Sequence, residues 1–355
     1  MLGMRNIDVL NSRVERLGVV SPVEMPVTLS SGQCFTDATE VLTPVGWVSL
    51  GCYSGQRVMQ VVGGGLVGEF VKPLGFEKRK FYGEMLEYDR RDCKILATAD
   101  TELVFLDEDG VLNKRSLGAM PDTLLGAFLP TAISYDCRGI DLTTAQIALI
   151  IAINADGTIV KRKRVADTIT FGFKKERKVE RLSAILDMLD IPFHLHRSSN
   201  GVTSFYFSCP SWVVSKMFPS HWVAELSLEQ RIFILSEICN WDGYEDIVKN
   251  RLEFSSKHYA ECEFIKTIAE TAGFQATVSK KTSGERFWYV CRVLMTKSGV
   301  FWRQTEKHIK YVWVDGDVYR ISVPSSNLLI RYRGKVSVVG CCNYLVEKNV
   351  KNLEM

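Results

Sequence analysis

The sequence predicts a multi-domain chain in which an all-β module is interrupted by an α+β domain with two pseudo-symmetric αββαββ repeats. Three observations lead to this fold class. Short β-type runs separated by turn residues occupy the region after residue 33 and return after residue 308. Helical periodicity appears between them, in two similar halves. The 355 residues are enough for two or three domains, each with its own core.

The all-β module is predicted from alternating apolar and polar residues. The pattern begins with CFTDATEVLTPVGWVSL at Cys34, stops near Pro130 and returns in YVWVDGDVYRISVPSSNLLIRYRGKVSVVG at Tyr311. Two halves so far apart in sequence imply an inserted domain, because loop tips tolerate insertions. The predicted segments are an end segment at 1–33, the module at 34–130 and 309–341, the insertion at 131–308, and a second end segment at 342–355.

The inserted domain contains the two repeats, at about 141–220 and 226–300. Each begins with an apolar helix, predicted at 144–155 with a Thr cap and at 228–241. Each helix ends on Asp-Gly, in LIIAINADG at Leu149–Gly157 and in LSEICNWDG at Leu235–Gly243. The first repeat continues with two strands and the second with one strand, RLEFSSK, and each then has an amphipathic helix and a hairpin, so that each copy is αββαββ in outline. We expect the two leading helices to pack side by side and to bring their final carboxylates to one place.

These carboxylates, Asp156 and Asp242, stand where a helix end already carries partial negative charge. Gly157 and Gly243 are expected to take the left-handed conformation that closes a helix. Two such carboxylates would repel one another unless a divalent cation lay between them. Hard oxygen ligands with open positions suit Mg²⁺ or Mn²⁺, and water bound to such an ion can attack a phosphodiester. Taken singly, either Asp would be an ordinary solvated helix end.

Together the two motifs and the repeat resemble a single-chain LAGLIDADG homing endonuclease over the whole insertion. The resemblance implies an enzyme that makes site-specific double-strand breaks in a long DNA target by metal-dependent hydrolysis. It gives Asp156 and Asp242 the catalytic role and places them, with Gly157 and Gly243, around the metal ion. The family also has a lysine near the metal, for which Lys216 and Lys297 are candidates.

Basic residues on or beside the predicted strands are the candidates for binding DNA phosphates and base edges. Because strand residues alternate between faces, about half of them should point toward DNA. Either basic cluster, KRKR at Lys161–Arg164 or FKKER at Phe173–Arg177, would alone be read as a solvated charged face. The candidates are Arg162, Lys163, Arg164, Lys174 and Lys175 in the first repeat and Lys280, Lys281, Arg286 and Arg292 in the second.

The stretch CFTDATEVLTPVGWVSLGCYSGQRV resembles the opening of an intein, the self-splicing Hint fold, and the closing stretch resembles that of phage inteins. The resemblance implies that the Cys34 thiol attacks the carbonyl of Gln33 at the upstream splice junction. TADTELVF resembles the second intein block and gives Thr98 a catalytic role. Thr101 stands where that block has its histidine, and Arg320 replaces an acidic or cysteine residue.

The downstream junction departs from the intein pattern. In one register Cys341 takes the place of the terminal Asn and Cys342 is the downstream nucleophile. In the other register the intein ends on Asn343 and Tyr344 follows. Cysteine has no carboxamide that could cyclise, and tyrosine is a poor nucleophile, so splicing is expected to be impaired in either register. We take Cys341 and Cys342 as the predicted junction. Splicing would require no cofactor.

Two other functions are compatible with the sequence. The chain could be chiefly a self-processing Hint protein whose endonuclease domain is a relict DNA-binding module. It could also be a DNA-binding protein or an RNA maturase on the same scaffold, but neither requires an Asp in both motifs.

The expected partners are double-stranded DNA with a long recognition site and host-protein extein segments in cis. The end segments, read together as SSGQ and CNYLVEKNVKNLEM, resemble part of a ribonucleotide reductase. No apolar run reaches the roughly 18 residues of a membrane span, so no membrane partner is expected. Ten cysteines without a CxxC pair indicate neither zinc nor disulfides. We therefore expect a monomer in the cytoplasm of a prokaryotic or phage-infected cell.

Overall fold

A computed structural model describes residues 33–122, 124, 126–163, 166–303 and 308–341 of the chain. Their strands, in chain order, are β1 Phe35–Thr36, β2 Glu40–Thr43, β3 Gly46–Ser49, β4 Val58–Val62, β5 Val67–Val71, β6 Gly75–Asp89, β7 Lys94–Ala97, β8 Glu102–Leu106, β9 Leu112–Ser116, β10 Phe128–Pro130, β11 Thr158–Val160, β12 Thr168–Phe173, β13 His194–Arg197, β14 Thr203–Ser208, β15 Gly243–Asp246, β16 Arg251–Ser256, β17 Gln275–Ser283, β18 Arg286–Leu294, β19 Gly299–Phe301, β20 Ile309–Ser322, β21 Asn327–Tyr332 and β22 Lys335–Gly340. Their α-helices are α1 Thr144–Asp156, α2 Glu176–Met188, α3 Trp222–Glu225, α4 Leu228–Glu237 and α5 Tyr259–Thr271.

The chain divides into two units. Unit 1 comprises Met1–Asp136, Glu270–Gln275 and Thr296–Met355, and unit 2 comprises Cys137–Ala269 and Ala276–Met295. The predicted insertion, 131–308, is longer than unit 2 at both ends. Both predicted end segments, except Gln33, lie outside the described residues.

Unit 1 is built from strands, as the alternating pattern of its sequence predicts. Strands β1, β20, β6 and β7 form a closed barrel, in which the long strands β6 and β20 pair along their whole length. A ten-stranded sheet has the order β19-β10-β8-β22-β21-β2-β3, with β4 and β5 attached at β21 and β9 attached at β8. Its core contains large apolar side chains such as Phe35, Tyr88 and Trp302, and the rings of Tyr88 and Trp302 are stacked.

Unit 2 repeats one arrangement of elements twice. The first repeat runs α1-β11-β12-α2-β13-β14, and its sheet has the order β11-β12-β14-β13. The second runs α4-β15-β16-α5-β17-β18, with the sheet order β15-β16-β18-β17. Helices α1 and α4 pack against one another. The chain therefore has the αββαββ order in both halves, with the leading helices in contact.

The two leading helices begin in the same way because each has a capping box. Thr143 accepts a hydrogen bond from the backbone N–H of Gln146 before α1, and Ser227 accepts one from Gln230 before α4. The helix ends differ. The predicted helix 144–155 extends to Asp156, whereas the predicted helix Leu228–Trp241 leaves α geometry after Glu237. In that second helix, Ile238–Asn240 form a 3₁₀ turn.

Within the part of the chain that the structure describes, no helix combines the length and the apolar character needed to cross a membrane.

Candidate functional site

Lys178 lies between the two aspartates that end the repeat motifs. Its ammonium nitrogen is 2.5 Å from Oδ2 of Asp156 and 3.4 Å from Oδ1 of Asp242. Lys178 is the third residue of α2, and its side chain is only 9% exposed, against 28% for Asp156 and 38% for Asp242. The two predicted acids therefore face one solvent-accessible opening, with a cation from α2 between them.

The electrostatics of this opening raise the pKa of Asp242. Burial is the largest cause, because it disfavours the ionised form, and the negative charge of Asp156 adds to it. Lys178 and Lys216 act in the opposite direction. A further cation at this opening would offset the repulsion between the two carboxylates.

The donor set fits a small divalent cation. Asp156 and Asp242 supply hard carboxylate oxygens that are partly open to solvent. Mg²⁺ is commonly held by one or two carboxylates, with waters and phosphate oxygens as its other ligands. No three His, Cys, Asp or Glu side chains of the described residues are grouped so that they could hold a metal ion. The arrangement therefore suits an ion that completes its shell with water and phosphate.

The prediction that Gly157 and Gly243 close their helices in a left-handed conformation is wrong. Gly157 has φ −75° and ψ 156°, and neither glycine has a positive φ. The chain has no room for a closing turn because β11 starts at Thr158 and β15 starts at Gly243 itself. Both positions need glycine for space. A Cβ at Gly157 would lie 2.7 Å from Cα of Ile153, and one at Gly243 would lie 2.8 Å from the carbonyl oxygen of Ile238.

A cavity of about 410 Å³ lies beside Asp242. Asn154 links two of its walls. Its side chain donates hydrogen bonds to Oε1 of Glu261 at 3.1 Å and to the carbonyl oxygen of Lys216 at 2.8 Å. Of the two lysine candidates, Lys216 lines this cavity and Lys297 belongs to unit 1. The cavity also contains basic and aromatic side chains, namely Lys257, His258 and Trp288.

Most residues predicted to bind DNA have exposed side chains. Those of the first repeat lie in the connections after β11 and before α2, and those of the second lie on β17 and β18. The exposed ones are Arg162, Lys163, Lys174, Lys175, Lys280, Lys281 and Arg286. Arg292 is half-buried and contacts Oε1 of Glu253 on the neighbouring strand at 2.8 Å. Arg164 lies outside the described residues.

In unit 1 the predicted nucleophile Cys34 contacts Thr98 directly. The backbone N–H of Cys34 donates to Oγ1 of Thr98 at 3.0 Å, and the N–H of Thr98 donates to the carbonyl oxygen of Cys34 at 3.1 Å. Oγ1 of Thr101 is 3.2 Å from Oγ1 of Thr98. Burial raises the pKa of the fully buried Cys34 thiol, while the positive charges of Arg79 and Arg320 lower it.

Cys341, at the predicted downstream junction, is buried as well. The N–H of Cys341 donates to the carbonyl oxygen of Ser326 at 2.9 Å, and its Sγ accepts from the N–H of Val323 at 3.4 Å. Lys114 also donates to the carbonyl oxygen of Ser326, at 2.8 Å. Cys342 lies outside the described residues.

At the upstream junction, Arg320 lies close to Cys34. Arg320 is the position where the intein pattern has an acidic or cysteine residue. Phe35 pairs with Tyr319 across β1 and β20, and the strands are antiparallel, so Arg320 comes alongside Cys34. The side chain of Gln33 is buried, and neither its nitrogen nor its oxygen has a hydrogen-bond partner among the described residues.

Sequence reasoning missed Lys178. The sequence predicts a basic surface at FKKER, followed by an amphipathic helix that contains Lys178. A signal was present in the repeat, because the third residue of the second helix is Lys178 in the first repeat and Glu261 in the second. Both residues are buried, with 7% and 5% exposure. A charged residue at an equivalent inward position of both repeats points to a shared polar interface.

No family model matches the chain. Among curated proteins, the chain is similar to the ribonucleoside-diphosphate reductase subunit beta of Aquifex aeolicus (strain VF5), at 22% identity over 367 residues. The match covers 90% of this chain and 51% of that protein, so the chain spans about half the length of its curated relative.

Among solved structures, the chain is similar to a splice-inactive variant of the AceL NrdHF class 3 split intein, at 7% identity and a TM-score of 0.34. That match covers 87% of this chain and 99% of the other. The homing endonuclease I-DmoI in complex with DNA and Ca is similar over 42% of this chain and 82% of its own, at 14% identity and a TM-score of 0.34. These proteins belong to the two classes that the sequence motifs resemble. At this TM-score the similarity adds no argument of its own.

Proposed function

We propose that unit 2 is a site-specific endonuclease that makes double-strand breaks in a long DNA target by divalent-metal-dependent hydrolysis of phosphodiesters. The observation that supports the proposal most directly is the convergence of Asp156 and Asp242 on one ammonium group. The two residues end equivalent motifs of two repeats. One carboxylate from each half at a common opening suits an enzyme that cuts both strands of a duplex.

In this proposal Asp156 and Asp242 both bind divalent metal, Mg²⁺ or Mn²⁺, each acid serving the DNA strand that is cut on its side, and Gly157 and Gly243 let the backbone approach closely behind them. When bound, the ion would activate water and stabilise the leaving oxygen. Lys178 holds the two carboxylates together and limits the charge that accumulates between them. Lys216, at the edge of the adjoining cavity, supplies a second positive charge close to the reacting phosphate.

The exposed basic residues of both sheets would contact the DNA backbone and base edges. Lysine and arginine in such positions add a binding energy that falls as salt increases, since each phosphate contact releases counterions. Arg292 is expected to contribute less than the others, because its guanidinium already pairs with Glu253.

The test is cleavage of a plasmid that carries the uninterrupted host gene. The wild-type chain should produce linear plasmid with Mg²⁺, and Asp156→Asn should abolish cutting without loss of DNA binding. A Glu176→Gln variant serves as the control, because this exposed carboxylate pairs with Arg197 in a surface ion pair. Tight binding by the wild-type chain without metal-dependent cutting would reject the endonuclease and favour a relict DNA-binding module.

We further propose that unit 1 is a self-processing intein-type module with impaired splicing. Sγ of Cys34 would add to the carbonyl carbon of Gln33, the C–N bond would break, and the thiol proton would end on the released amine. The two hydrogen bonds between Cys34 and Thr98 support this proposal, because they hold the scissile peptide at the predicted catalytic threonine. Thr101 has no titratable group to protonate the amine, and Cys341 has no carboxamide, so full splicing should not follow.

Mass spectrometry of the expressed chain tests this second function. Release of residues 1–33 upon addition of a small thiol, absent in Cys34→Ala, would support thioester formation. Ligation of the two end segments would show that splicing is intact and would overturn the proposed impairment. A chain that stays at 40.1 kDa with and without thiol would indicate an inert module.

The end segments are proposed to be extein segments of a ribonucleotide-reductase-type host. The Aquifex aeolicus match covers 90% of this chain, a share that 1–33 and 342–355 are too short to supply. That relative therefore contains a stretch similar to the body of this chain. Sequencing the uninterrupted gene would establish the junction and the DNA target.

We also propose that the protein acts as a monomer in the cytoplasm of a prokaryotic or phage-infected cell. Both repeats lie in one chain, so a second copy is not needed to complete the site. The nine cysteines of the described residues are free thiols, which suits a reducing compartment. Size-exclusion chromatography with light scattering would test the oligomeric state.

A further inference from the structure

Glu237, the last residue of α4, is a buried carboxylate at the centre of a hydrogen-bond network. Its side chain is 3% exposed. Arg181 on α2 contacts both oxygens, with Nε at 3.1 Å from Oε1 and Nη2 at 2.5 Å from Oε2. Nδ2 of Asn240 and Nε1 of Trp241 each donate to the same carboxylate at 3.0 Å. One side chain thus holds both residues that precede Asp242.

Helix α2 adds a second contact to the same segment. Nη1 of Arg177 donates to the carbonyl oxygen of Asn240 at 2.5 Å. Arg177, Lys178 and Arg181 all contact the second motif, although they belong to the first repeat. This face of α2 therefore links the second Asp-Gly motif to the first half of the unit.

The first motif is held differently. Asp156 is the last residue of a regular helix, and the N–H of Gly157 donates to the carbonyl oxygen of Ile153 at 3.1 Å. Before Asp242, in contrast, the chain has left α geometry, and Trp241 has φ −113° and ψ −97°. Backbone hydrogen bonds of a helix position Asp156. The segment at Asp242 has backbone bonds from the N–H of Trp241 to Ile238 at 3.1 Å and from the N–H of Ser255 to Asp242 at 3.3 Å, and the side-chain network of Glu237 holds the two residues before it.

We propose that Arg181, through Glu237, is the positioning residue for the second acid, so that cleavage of the two DNA strands depends on different parts of the protein. The inference rests on the proposed endonuclease function and specifies how its second half is held. Buried charge networks lose much of their value when one member is removed, because the remaining charge is left unpaired. Loss of Arg181 should therefore displace Asp242 and leave Asp156 in place.

Strand-resolved cleavage of a supercoiled target plasmid tests the proposal, with each strand carrying its own label. In Arg181→Met, cutting of one strand should slow by roughly 10- to 100-fold, the loss that follows a misplacement of about 1 Å, and nicked circles should accumulate. The other strand should be cut at close to the wild-type rate. Arg181→Lys keeps the charge and one hydrogen bond and should recover part of the lost rate.

Glu176→Gln is the matched control, since Glu176 also pairs from α2 with an arginine, Arg197 at 2.9 Å, but both partners are exposed. It should cut both strands at the wild-type rate. Equal slowing of both strands in Arg181→Met, or no slowing, would overturn the proposal.

Hydrogen exchange in the absence of DNA separates this inference from the proposed function. Peptides spanning 236–243 should lose protection in Arg181→Met, while those spanning 149–157 should not change. If the wild-type chain cuts no DNA, the endonuclease proposal fails, and the exchange result still decides whether Arg181 holds the second motif. Unchanged protection of 236–243 would reject the positioning role even in an active enzyme.

Discussion

Replacing Lys178 with methionine removes the ammonium group that the structure pairs with both candidate acids. Methionine keeps most of the apolar length of the side chain, but Asp156 and Asp242 then face one another directly. A pair of unit charges near a protein surface interacts by about 4 kcal/mol at 4 Å. Solvent at the two aspartates, which are 28% and 38% exposed, reduces this value toward that of surface pairs. We expect Lys178→Met to lower the free energy of unfolding by roughly 1–3 kcal/mol at neutral pH.

The loss of stability in Lys178→Met should depend on pH, and the titration of Asp242 determines whether this loss grows or shrinks as the pH rises. Its pKa is raised in the folded state, so this group makes stability fall as the pH rises from its unfolded pKa through its folded pKa. Without Lys178, one of the influences that lower the pKa of Asp242 is gone. The free-energy cost of keeping Asp242 ionised in the folded protein at neutral pH therefore increases. At acidic pH the carboxyl is protonated in both states. The difference between variant and wild type should therefore shrink as the pH falls.

Urea denaturation of the full chain, at neutral and acidic pH and with and without Mg²⁺, measures these effects. Mg²⁺ should restore more stability to Lys178→Met than to the wild type, because an ion that binds only the folded state stabilises it by RT ln(1 + [L]/Kd). Lys161→Met is the control, since Lys161 lies 2.7 Å from Asp167 but is 81% exposed, and no measurable loss is expected. A loss that is the same at both pH values, or no loss at all, would refute the reasoning.

Three further predictions concern other parts of the chain. Gly157→Ala should lower the free energy of unfolding by about 1–3 kcal/mol in urea titrations, because the added Cβ collides with backbone at 2.7 Å; an unchanged midpoint would contradict this. Thr98→Ala should slow thiol-induced release of residues 1–33 at least about tenfold by mass spectrometry, since it removes the acceptor of the Cys34 N–H. Glu40→Ala should lower the free energy of unfolding by about 2–4 kcal/mol in thermal unfolding. In the wild type the buried Arg331 donates to both Glu40 oxygens at 2.6 Å, and the variant removes this carboxylate.

Local patterns in the sequence predict much of this protein. The apolar runs predict where α1 and α4 begin, and the Thr cap of α1 strengthens the first prediction, because a helix cap depends on residues three positions apart. Alternation in TITFGF predicts β12, with Ile169, Phe171 and Phe173 buried. The repetition of one order of elements indicates that Asp156 and Asp242 are equivalent. All of these features depend on residues that are close together in the chain.

The helix ends show where local patterns are insufficient. An Asp-Gly pair after an apolar run is typical of a left-handed closing residue, but Gly157 is extended because the next strand starts at once. At the second motif the α-helix ends at Glu237, whose carboxylate bonds with Arg181 and Trp241. Whether a glycine closes a helix or makes space depends on neighbours that the local sequence does not identify.

The sequence by itself determined the two kinds of module, the internal repeat and the two acids, because each is written in periodicity or in a short motif. Only the tertiary structure decided that Lys178 lies between these acids. Lys178 is 22 residues from Asp156 and 64 residues from Asp242 in the chain. Its orientation depends on how α2 packs against both motifs. A surface lysine and a buried one have the same side chain, and only packing determines which carboxylates it will meet.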